Sequence, residues 1–380
     1  MKSIWQCWLA LFALVLAQPY AGAAPVSPTI AATRPIGIIT PNGEATIAFD
    51  MNAAGQVAAV LEDDEGRQRG VLVENGAVIE LGAEQGSYSD ARAISPSGEI
   101  VGSFSKRDGT WRAFVFNRAT GLRELPTLGG PSSYGMSINI AGHVAGFADM
   151  ANGDWHAFVF KRGAMLDLGT LGGKVSYASG INNRGQVVGT ATTSSEYRHA
   201  FLYDPATGMR DLGTLGGRQS SATAVNDDGV VVGASETPDR RWHAFVHDGK
   251  RMIDLGALIG FGNSFATDIN SRGHVVGSIM RQDERLSFVW RDGKMFVHRG
   301  GKGLHLTNAI NDRELMIGAT YHQRMVAATM PSSAIPAVSK DGRKIVYFIA
   351  TVLLLAAAGV AYRQYAQSRT SPMPGVKFTT

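Results

Sequence analysis

The chain repeats itself. The phrase Leu212-Gly213-Thr214-Leu215-Gly216-Gly217, followed by Ala224-Val225-Asn226 and by Trp242-His243-Ala244-Phe245, recurs along most of its length. One turn residue marks each copy, at Asn52, Ser95, Asn139, Asn182, Asn226, Asn270 and Asn311, so the steps are 43, 44, 43, 44, 44 and 41 residues. A fixed period means one small unit that buries its apolar faces only against its neighbours, so seven copies constrain architecture far more than activity. The repeat also makes the sequence its own alignment: shared columns are scaffold, and positions that break a column are candidates for function.

In the fourth copy, Tyr177 to Ile181 is a short run of small and apolar residues, followed by Asn182-Asn183-Arg184-Gly185 and then Gln186-Val187-Val188-Gly189. The asparagine starts a type I turn by bonding its own backbone, and the glycine supplies the positive φ that closes a short hairpin loop. Arg198-His199-Ala200-Phe201-Leu202-Tyr203 is β-prone and continues through Asp204-Pro205-Ala206-Thr207-Gly208 into Met209-Arg210-Asp211-Leu212-Gly213, a second hairpin. Four strands in about 43 residues, without helical periodicity, match a propeller blade, whereas a β-solenoid takes a rung of roughly 20 to 25 residues. The seventh copy, Leu306 to Met330, supplies only three strands before Pro331, while Pro35-Ile36-Gly37-Ile38-Ile39 matches the fourth-strand phrase and stands alone before the first hairpin. A spare strand at one end and a vacancy at the other remove the unpaired edges of an open array. The expected fold is all-β: a seven-bladed β-propeller over residues 35–330, closed by an N-terminal strand.

The flanks place this domain. Lys2, the apolar run Ile4 to Ala17 and the small-x-small sequence Ala21-Gly22-Ala23 predict a signal peptide over 1–23. Its apolar core is too short to cross roughly 30 Å of hydrocarbon. The only cysteine, Cys7, falls inside it, so the mature chain has no thiol chemistry, disulfide or cysteine-based metal site. Residues 345–362 carry no charge and predict one transmembrane helix, after a linker over 331–344 and before a short cytoplasmic tail over 363–380. Lys340, Arg343 and Lys344 before the helix balance Arg363, Arg369 and Lys377 after it, so orientation follows from the signal peptide: the repeats lie on the periplasmic or extracellular side. A net charge of +4, spread without a basic stripe, gives nucleic-acid binding no support.

Two columns change together. His156, His199 and His243 on the third strand accompany Asp167, Asp211 and Asp254 on the fourth, while Arg69 goes with Glu80 and Arg112 with Glu124. A two-residue turn at Asp248-Gly249 would set His243 directly opposite Asp254; the sixth copy offers Leu286 and His298, and the seventh sets Arg324 against Pro35. Covariation between neighbouring strands means contact, worth roughly 0.2 to 1 kcal/mol for an opposite-charge pair. A catalytic His-Asp base is the sharper alternative, but catalysis needs one such site and not several in different blades, so these are read as structural pairs.

These residues carry a resemblance to the HAF-repeat extracellular proteins, named for the His-Ala-Phe seen here at His156, His199 and His243; the Asp-Leu-Gly-Thr-Leu-Gly-Gly phrase at Asp167 to Gly173 and at Asp211 to Gly217 is the family's other hallmark. The match covers nearly all of Ile36 to Met330, specifically in copies three to five and loosely elsewhere. The resemblance implies an exported, surface-associated, β-rich bacterial protein without a catalytic residue to carry over. Some members end in a sorting tail with a Pro-Glu-Pro motif; here the corresponding stretch is Pro331-Ser332-Ser333-Ala334-Ile335-Pro336, which favours a retained anchor.

Residues that break the repeat in the innermost strand are the candidate ligand-binding residues. Five positions before the turn residue stand Ile47, Asp90, Tyr134, Tyr177, Ser221, Phe265 and Leu306; three before it stand Phe49, Arg92, Met136, Ser179, Thr223, Thr267 and Asn308. Asp90 and Arg92 would hold a polar ligand or satisfy each other, and Tyr134 and Tyr177 would stack on a sugar or pack. His143 and His274 follow the hairpin glycine, where other copies have Gln56, Glu99, Gln186, Val230 and Glu314, and they lie in blades too far apart to share a metal. Asn226-Asp227-Asp228-Gly229 lacks the twelfth-position carboxylate of a calcium loop. No cofactor, metal site or catalytic constellation is expected. The expected function is a membrane-anchored binding platform for an envelope protein or glycan; the alternatives are a glycan-directed hydrolase or lyase working in the central channel, for which Asp90 is the candidate carboxylate, and a passive envelope element.

Overall fold

Strand pairing in the computed structural model follows the repeat period blade by blade. The structure describes residues 37–38, 45–62, 66–81, 88–260, 262–281, 284–299, 304, 306–322 and 324–334. The expected signal peptide, transmembrane helix and cytoplasmic tail, and the linker beyond 334, lie outside them. Among the described residues no helix is long and apolar enough to cross a membrane.

Seven antiparallel sheets of four strands cover 45–80, 89–124, 129–167, 172–211, 220–254, 263–299 and 306–331, the last completed by Gly37–Ile38. Gly37 pairs with Thr329 and Ile38 with Ala328, so the N-terminal segment is the fourth strand of the seventh blade. First strands contact the first strands of both neighbouring blades, including Leu306–Ile310 against Ala45–Met51, and form an unbroken inner ring. The protein is an all-β seven-bladed propeller. Antiparallel connectivity puts the two hairpin turns of each blade on one rim, the hairpin rim. The loops between second and third strands and the crossovers between blades share the opposite rim, the crossover rim. One helical turn, Gly256–Ile259, lies in the crossover after blade five.

Glycine in the second strand is dictated by a bulge in the first. Gly102, Gly146, Gly189, Gly233 and Gly277 pair with Phe114, Phe158, Phe201, Phe245 and Phe288, all five rings fully buried. Each facing first strand shifts register by one residue. The shift aims a carbonyl, that of Tyr177 for example, at the place a side chain would occupy, so a Cβ at Gly189 would overlap it. Blade one, with Ala59 opposite Val71, and blade seven, with Gly318 opposite Ala328, lack the ring.

The first-turn asparagine does more than start its hairpin. Asn182 Oδ1 accepts the N–H groups of Arg184 and Gln186 at 3.1 and 2.9 Å, as expected, and its Nδ2 donates to the Asn226 carbonyl of the next blade at 2.9 Å. Equivalent bonds run from Asn52 to Ser95, Asn139 to Asn182, Asn226 to Asn270 and Asn270 to Asn311, at 3.2, 3.0, 3.4 and 3.4 Å. The crossover phrase is a self-contained knot: Thr170 Oγ1 donates to the Gly173 carbonyl at 2.8 Å and Ser176 Oγ to the Gly169 carbonyl at 2.5 Å, repeated at Thr214 and Ser220.

Four expectations about register are corrected. The turn after the third strand of blade five is Gly249-Lys250, because His247 pairs with Met252; Phe245, and not His243, therefore faces Asp254, and His243 faces Gly256. Blade six pairs Leu286 with Arg299 and Ser287 with His298, leaving Val297 opposite Phe288 in the acidic column. At the seam that column is filled by Ile38 opposite Ala328, in place of the expected Pro35, which lies outside the described residues. Glu314 does not follow the turn glycine but replaces it: its φ is +63°, and its N–H donates to the Asn311 carbonyl at 3.0 Å.

This last exception is a clasp. Glu314 Oε1 accepts from His274 Nδ1 at 2.7 Å and Asn270 Nδ2 at 3.1 Å, while Oε2 accepts from the hydroxyl of Ser332, the residue that ends the seventh blade, at 2.7 Å. Burial alone would raise its carboxyl, but these bonds outweigh that and hold it below its ordinary value. Glu314→Gly would relieve a left-handed φ, worth about 1 kcal/mol, yet remove charge-assisted bonds worth about 1.5 to 3 kcal/mol each. The variant is expected to melt at a lower temperature than the parent; a higher melting temperature would show that the backbone outweighs the clasp.

Candidate functional site

The bulge decides which side chains line the inner ring. It falls at the position three before the turn residue, so the simple alternation of the strand breaks there and both this residue and the next face inward. Three such residues are spent on the neighbouring blade: Thr223 Oγ1 donates to the Ala266 carbonyl at 2.9 Å, Thr267 Oγ1 to the Thr307 carbonyl at 2.9 Å, and Asn308 Nδ2 to the Ala48 carbonyl at 2.7 Å.

Asp90 and Arg92 come together as their spacing suggests. Arg92 Nε lies 2.8 Å from Asp90 Oδ2, and the other carboxylate oxygen accepts the Ser103 N–H at 2.7 Å. Arg92 also covers Phe49 of blade one, its guanidinium carbon 4.6 Å from the ring centroid. Both oxygens of Asp90, the candidate hydrolytic carboxylate, are thus engaged.

Tyr134 and Tyr177 belong to one aromatic cluster that bridges blades two to four. Tyr134 stacks on Trp111 at 5.6 Å and on Phe147 at 4.9 Å, with Trp155 at 5.6 Å; Phe147 then meets Tyr177 edge-on at 5.1 Å. Three rings already crowd Tyr134, the place a sugar would use.

The inner ring holds two acids that the column comparison missed. Asp50 in blade one and Asp268 in blade six each stand two before the turn residue. Asp50 Oδ2 accepts the Ile94 N–H at 2.9 Å, and Asp268 Oδ2 accepts the Ile310 N–H at 2.8 Å, each in the following blade. Ser137 accepts the Ile181 N–H in the same way at 3.3 Å. Their side chains keep some water-accessible surface yet are surrounded by protein, as wall residues of a narrow ring are. Burial raises both; for Asp268 the rise reaches about 7, against the opposing Ile310 N–H and aided by the negative charges of Asp50 and Asp312. The signal was present in the column Asp50, Ala93, Ser137, Gly180, Ala224, Asp268 and Ala309, but unbroken alternation turns that column away from the channel.

The His-Asp and Arg-Glu columns meet diagonally across the hairpin. Nδ1 of His156 and of His243 donates to Asp167 and Asp254 at 2.9 Å, and Nδ1 of His199 to Asp211 at 2.7 Å. Arg69 Nη1 is 3.2 Å from Glu80, and Arg112 Nε is 2.9 Å from Glu124. The carboxylate also starts the crossover, since Asp167 and Asp211 accept the Gly169 and Gly213 N–H groups at 2.8 and 2.7 Å. His243 differs from its copies: its side chain is 7% exposed against 18% and 21% for His156 and His199, and its Nε2 is buried without a hydrogen-bond partner.

The shifts of Asp149 and His143 also have structural explanations. Asp149 is pushed up to about 6 by burial, over the opposing Ser132 N–H and Arg112 charge. It sits where Ser105 and Thr192 likewise accept a first-strand N–H, from Tyr88 at 2.9 Å and Val175 at 3.0 Å. His143 is held below its ordinary value by burial and by the charges of Lys161 and Arg162. Among the described residues no group of three or more His, Cys, Asp or Glu side chains is placed to hold a metal ion.

No family model matches the chain, and no curated protein matches it. Solved structures do. The β-propeller domain of the trilobed protease from Pyrococcus furiosus, with its open velcro topology, is similar at 13% identity and a TM-score of 0.50, over 74% of this chain and 94% of that one. A puromycin-hydrolysing peptidase from Mycobacterium tuberculosis is similar at 12% identity and a TM-score of 0.53, over 81% of this chain and 56% of its own. A puromycin hydrolase mutant complexed with PGG is similar at 13% identity and a TM-score of 0.55, over 80% and 56%. The chain spans little more than half the length of these two hydrolases. At such identities the likeness shows the propeller fold alone.

Two outcomes follow from this geometry. An acid raised from 3.8 to about 7 by folding binds its proton more tightly in the folded chain, so stability falls as pH rises between those values. Asp268→Asn keeps the acceptor for Ile310 and is expected to match the parent near pH 4 and to exceed it above pH 7 by on the order of 4 kcal/mol in denaturant titrations. No gain at high pH would mean the carboxylate is charged at little cost. His199→Ala should lower the melting temperature by an amount equivalent to about 0.5 to 1 kcal/mol. An unchanged melt accompanied by loss of an activity would overturn the structural reading of the pair.

Proposed function

We propose that this chain is an exported, membrane-tethered HAF-repeat propeller that serves as a binding platform for an envelope protein or glycan. The observation that carries the reading is how the polar groups of the ring are used. Asp90, Asp50, Asp268, Thr223, Thr267 and Asn308 each bond a neighbour or the next blade's backbone. Such a ring is a finished, rigid surface suited to presenting loops to a partner. The His-Ala-Phe copies at His156, His199 and His243, the signal-like N-terminus and the uncharged stretch over 345–362 support export and tethering.

The test is capture by the full-length, detergent-solubilised protein from the envelope fraction of its own cells, followed by a glycan array and a screen against glycan substrates. A saturable partner or glycan without turnover is the expected result. Turnover abolished by Asp90→Asn would instead make the protein a hydrolase or lyase, and the absence of any saturable partner would leave a passive envelope element.

A further inference from the structure

The hairpin rim carries one patch that breaks the repeat, and the chain leaves the propeller on that same rim. At the first-turn tip the seven blades present Ala53, Pro96, Ile140, Asn183, Asp227, Ser271 and Asp312. Ile140 is 62% exposed, the most exposed of the large apolar side chains among the described residues, and its tip position turns it away from the ring. Its backbone is held firmly, the Ile140 N–H donating to Asn183 Oδ1 at 3.0 Å. The second turn of the same blade, Lys161-Arg162-Gly163, sets two exposed cations next to it. Their charges act on His143, in the same hairpin turn as Ile140, adding to the burial that holds it below its ordinary value. Among the described residues neither cation has an ion-pair partner, unlike Arg118, which pairs with Glu74 on blade two, and Arg272, 3.5 Å from Glu314 on blade six. Blades four and five offer Asp204, Asp227 and Asp248 at these places. Blade three alone joins a protruding aliphatic side chain to uncompensated positive charge.

The third strand of blade seven, Arg324–Pro331, ends on this rim, and Ser332 is fixed there by its N–H donating to the Glu314 carbonyl at 2.8 Å and by the Glu314 side chain. Ten residues, 335–344, separate Ala334 from the uncharged stretch, a reach of about 35 Å at most. Blade three stands nearly across the seven-membered ring from blade seven. A tether at one side of the rim and a basic, apolar-tipped patch at the other lie on the same rim, at nearly opposite points of the ring.

We propose that the hairpin rim docks on the anionic lipid surface of the membrane that anchors the chain, with Ile140 inserted among the headgroups and Lys161 and Arg162 against their phosphates. Insertion of one aliphatic side chain is weak by itself, and two nearby cations add electrostatic attraction that falls with salt. Tethering makes such a weak contact sufficient, because it holds the patch at high effective concentration. The crossover rim, with Tyr88 and Tyr197 exposed at 46% and 40%, then points away from the bilayer and is the face open to partners. This inference rests on the membrane-tethered reading above.

The experiment uses the full chain in a Cys7→Ser background, reconstituted into vesicles of phosphatidylcholine alone or with phosphatidylglycerol. A fluorophore is placed at Ala141→Cys on the hairpin rim or at Ser195→Cys on the crossover rim, and quenching by a headgroup-nitroxide lipid is read. Quenching at 141 on the anionic vesicles, suppressed by salt, and little quenching at 195 are expected. Lys161→Glu with Arg162→Glu should weaken the quenched state on the order of tenfold, and Ile140→Ser should also reduce it, at unchanged melting temperature since all three side chains are exposed. A chain that does not float with either kind of vesicle refutes the tether and this inference together. A chain that floats with position 195 quenched as strongly as 141, or with quenching at 141 indifferent to phosphatidylglycerol and to the charge reversals, overturns the docking while leaving the tether intact.

Discussion

A backbone carbonyl has two lone pairs, and in this ring a first-turn carbonyl takes one N–H from its own hairpin and a second donor from the blade before. In blades one and three to six the amide of the first-turn asparagine completes its own hairpin with Oδ1 and spends Nδ2 on the neighbour's turn, so local and long-range order are fixed by one side chain. Asn139, Asn182 and Asn226 are almost wholly buried, and removing one such amide would take the inter-blade donor from a carbonyl 43 or 44 residues away, leaving it only the N–H of its own turn. The period of the sequence is therefore the spacing of a bond. Blade two is the exception: Ser95 keeps the turn with its hydroxyl accepting the Glu99 N–H, but a serine is too short to reach across to blade three.

The seam obeys a different rule because its blade is built from both ends of the domain. Only two described residues, Gly37 and Ile38, close the ring on one side, a pairing too short to hold by itself. On the hairpin rim Glu314 gathers two polar side chains of blade six and the hydroxyl of the residue that ends blade seven, and it accepts an unfavourable φ to do so. The strain is local and the bonds are shared among three segments, which is the circumstance in which a non-glycine residue persists in that conformation. A chain pulled at its C-terminal side would load this clasp before it loaded the strand pairing.

The architecture was legible because its signals are periodic: the turn asparagine, the crossover phrase and the spare strand at 35–39 each state a relation that holds between copies. Pairing of His with Asp and of Arg with Glu was legible for the same reason, since a contact preserved in several blades leaves covariation behind. Register was not. A shift of the fifth blade's turn from Asp248-Gly249 to Gly249-Lys250 moves every pair in that hairpin, and both readings place a glycine in the turn. What fixes the true one is Gly256, the only side chain small enough to lie against the ring of His243. The acids Asp50 and Asp268 escaped for a related reason: the bulge that the second-strand glycine makes room for also rotates the strand, and alternation counted through a bulge puts the following residue on the wrong face.

These two kinds of residue divide the labour of the molecule. Residues in step with the repeat answer to their neighbours, and even charged side chains that break a column inside the ring are satisfied by the scaffold, as with Asp90 between Arg92 and the Ser103 N–H. A few exposed side chains out of step have no scaffold partner that would explain them. Ile140 is such a residue: an aliphatic side chain left in water at a turn tip gains nothing for the fold, and the same tip in blades four, five and seven uses Asn183, Asp227 and Asp312. Where a repeat departs from its own rule on an exposed rim, at a cost in solubility and no gain in stability, the departure is best explained by what lies opposite that rim.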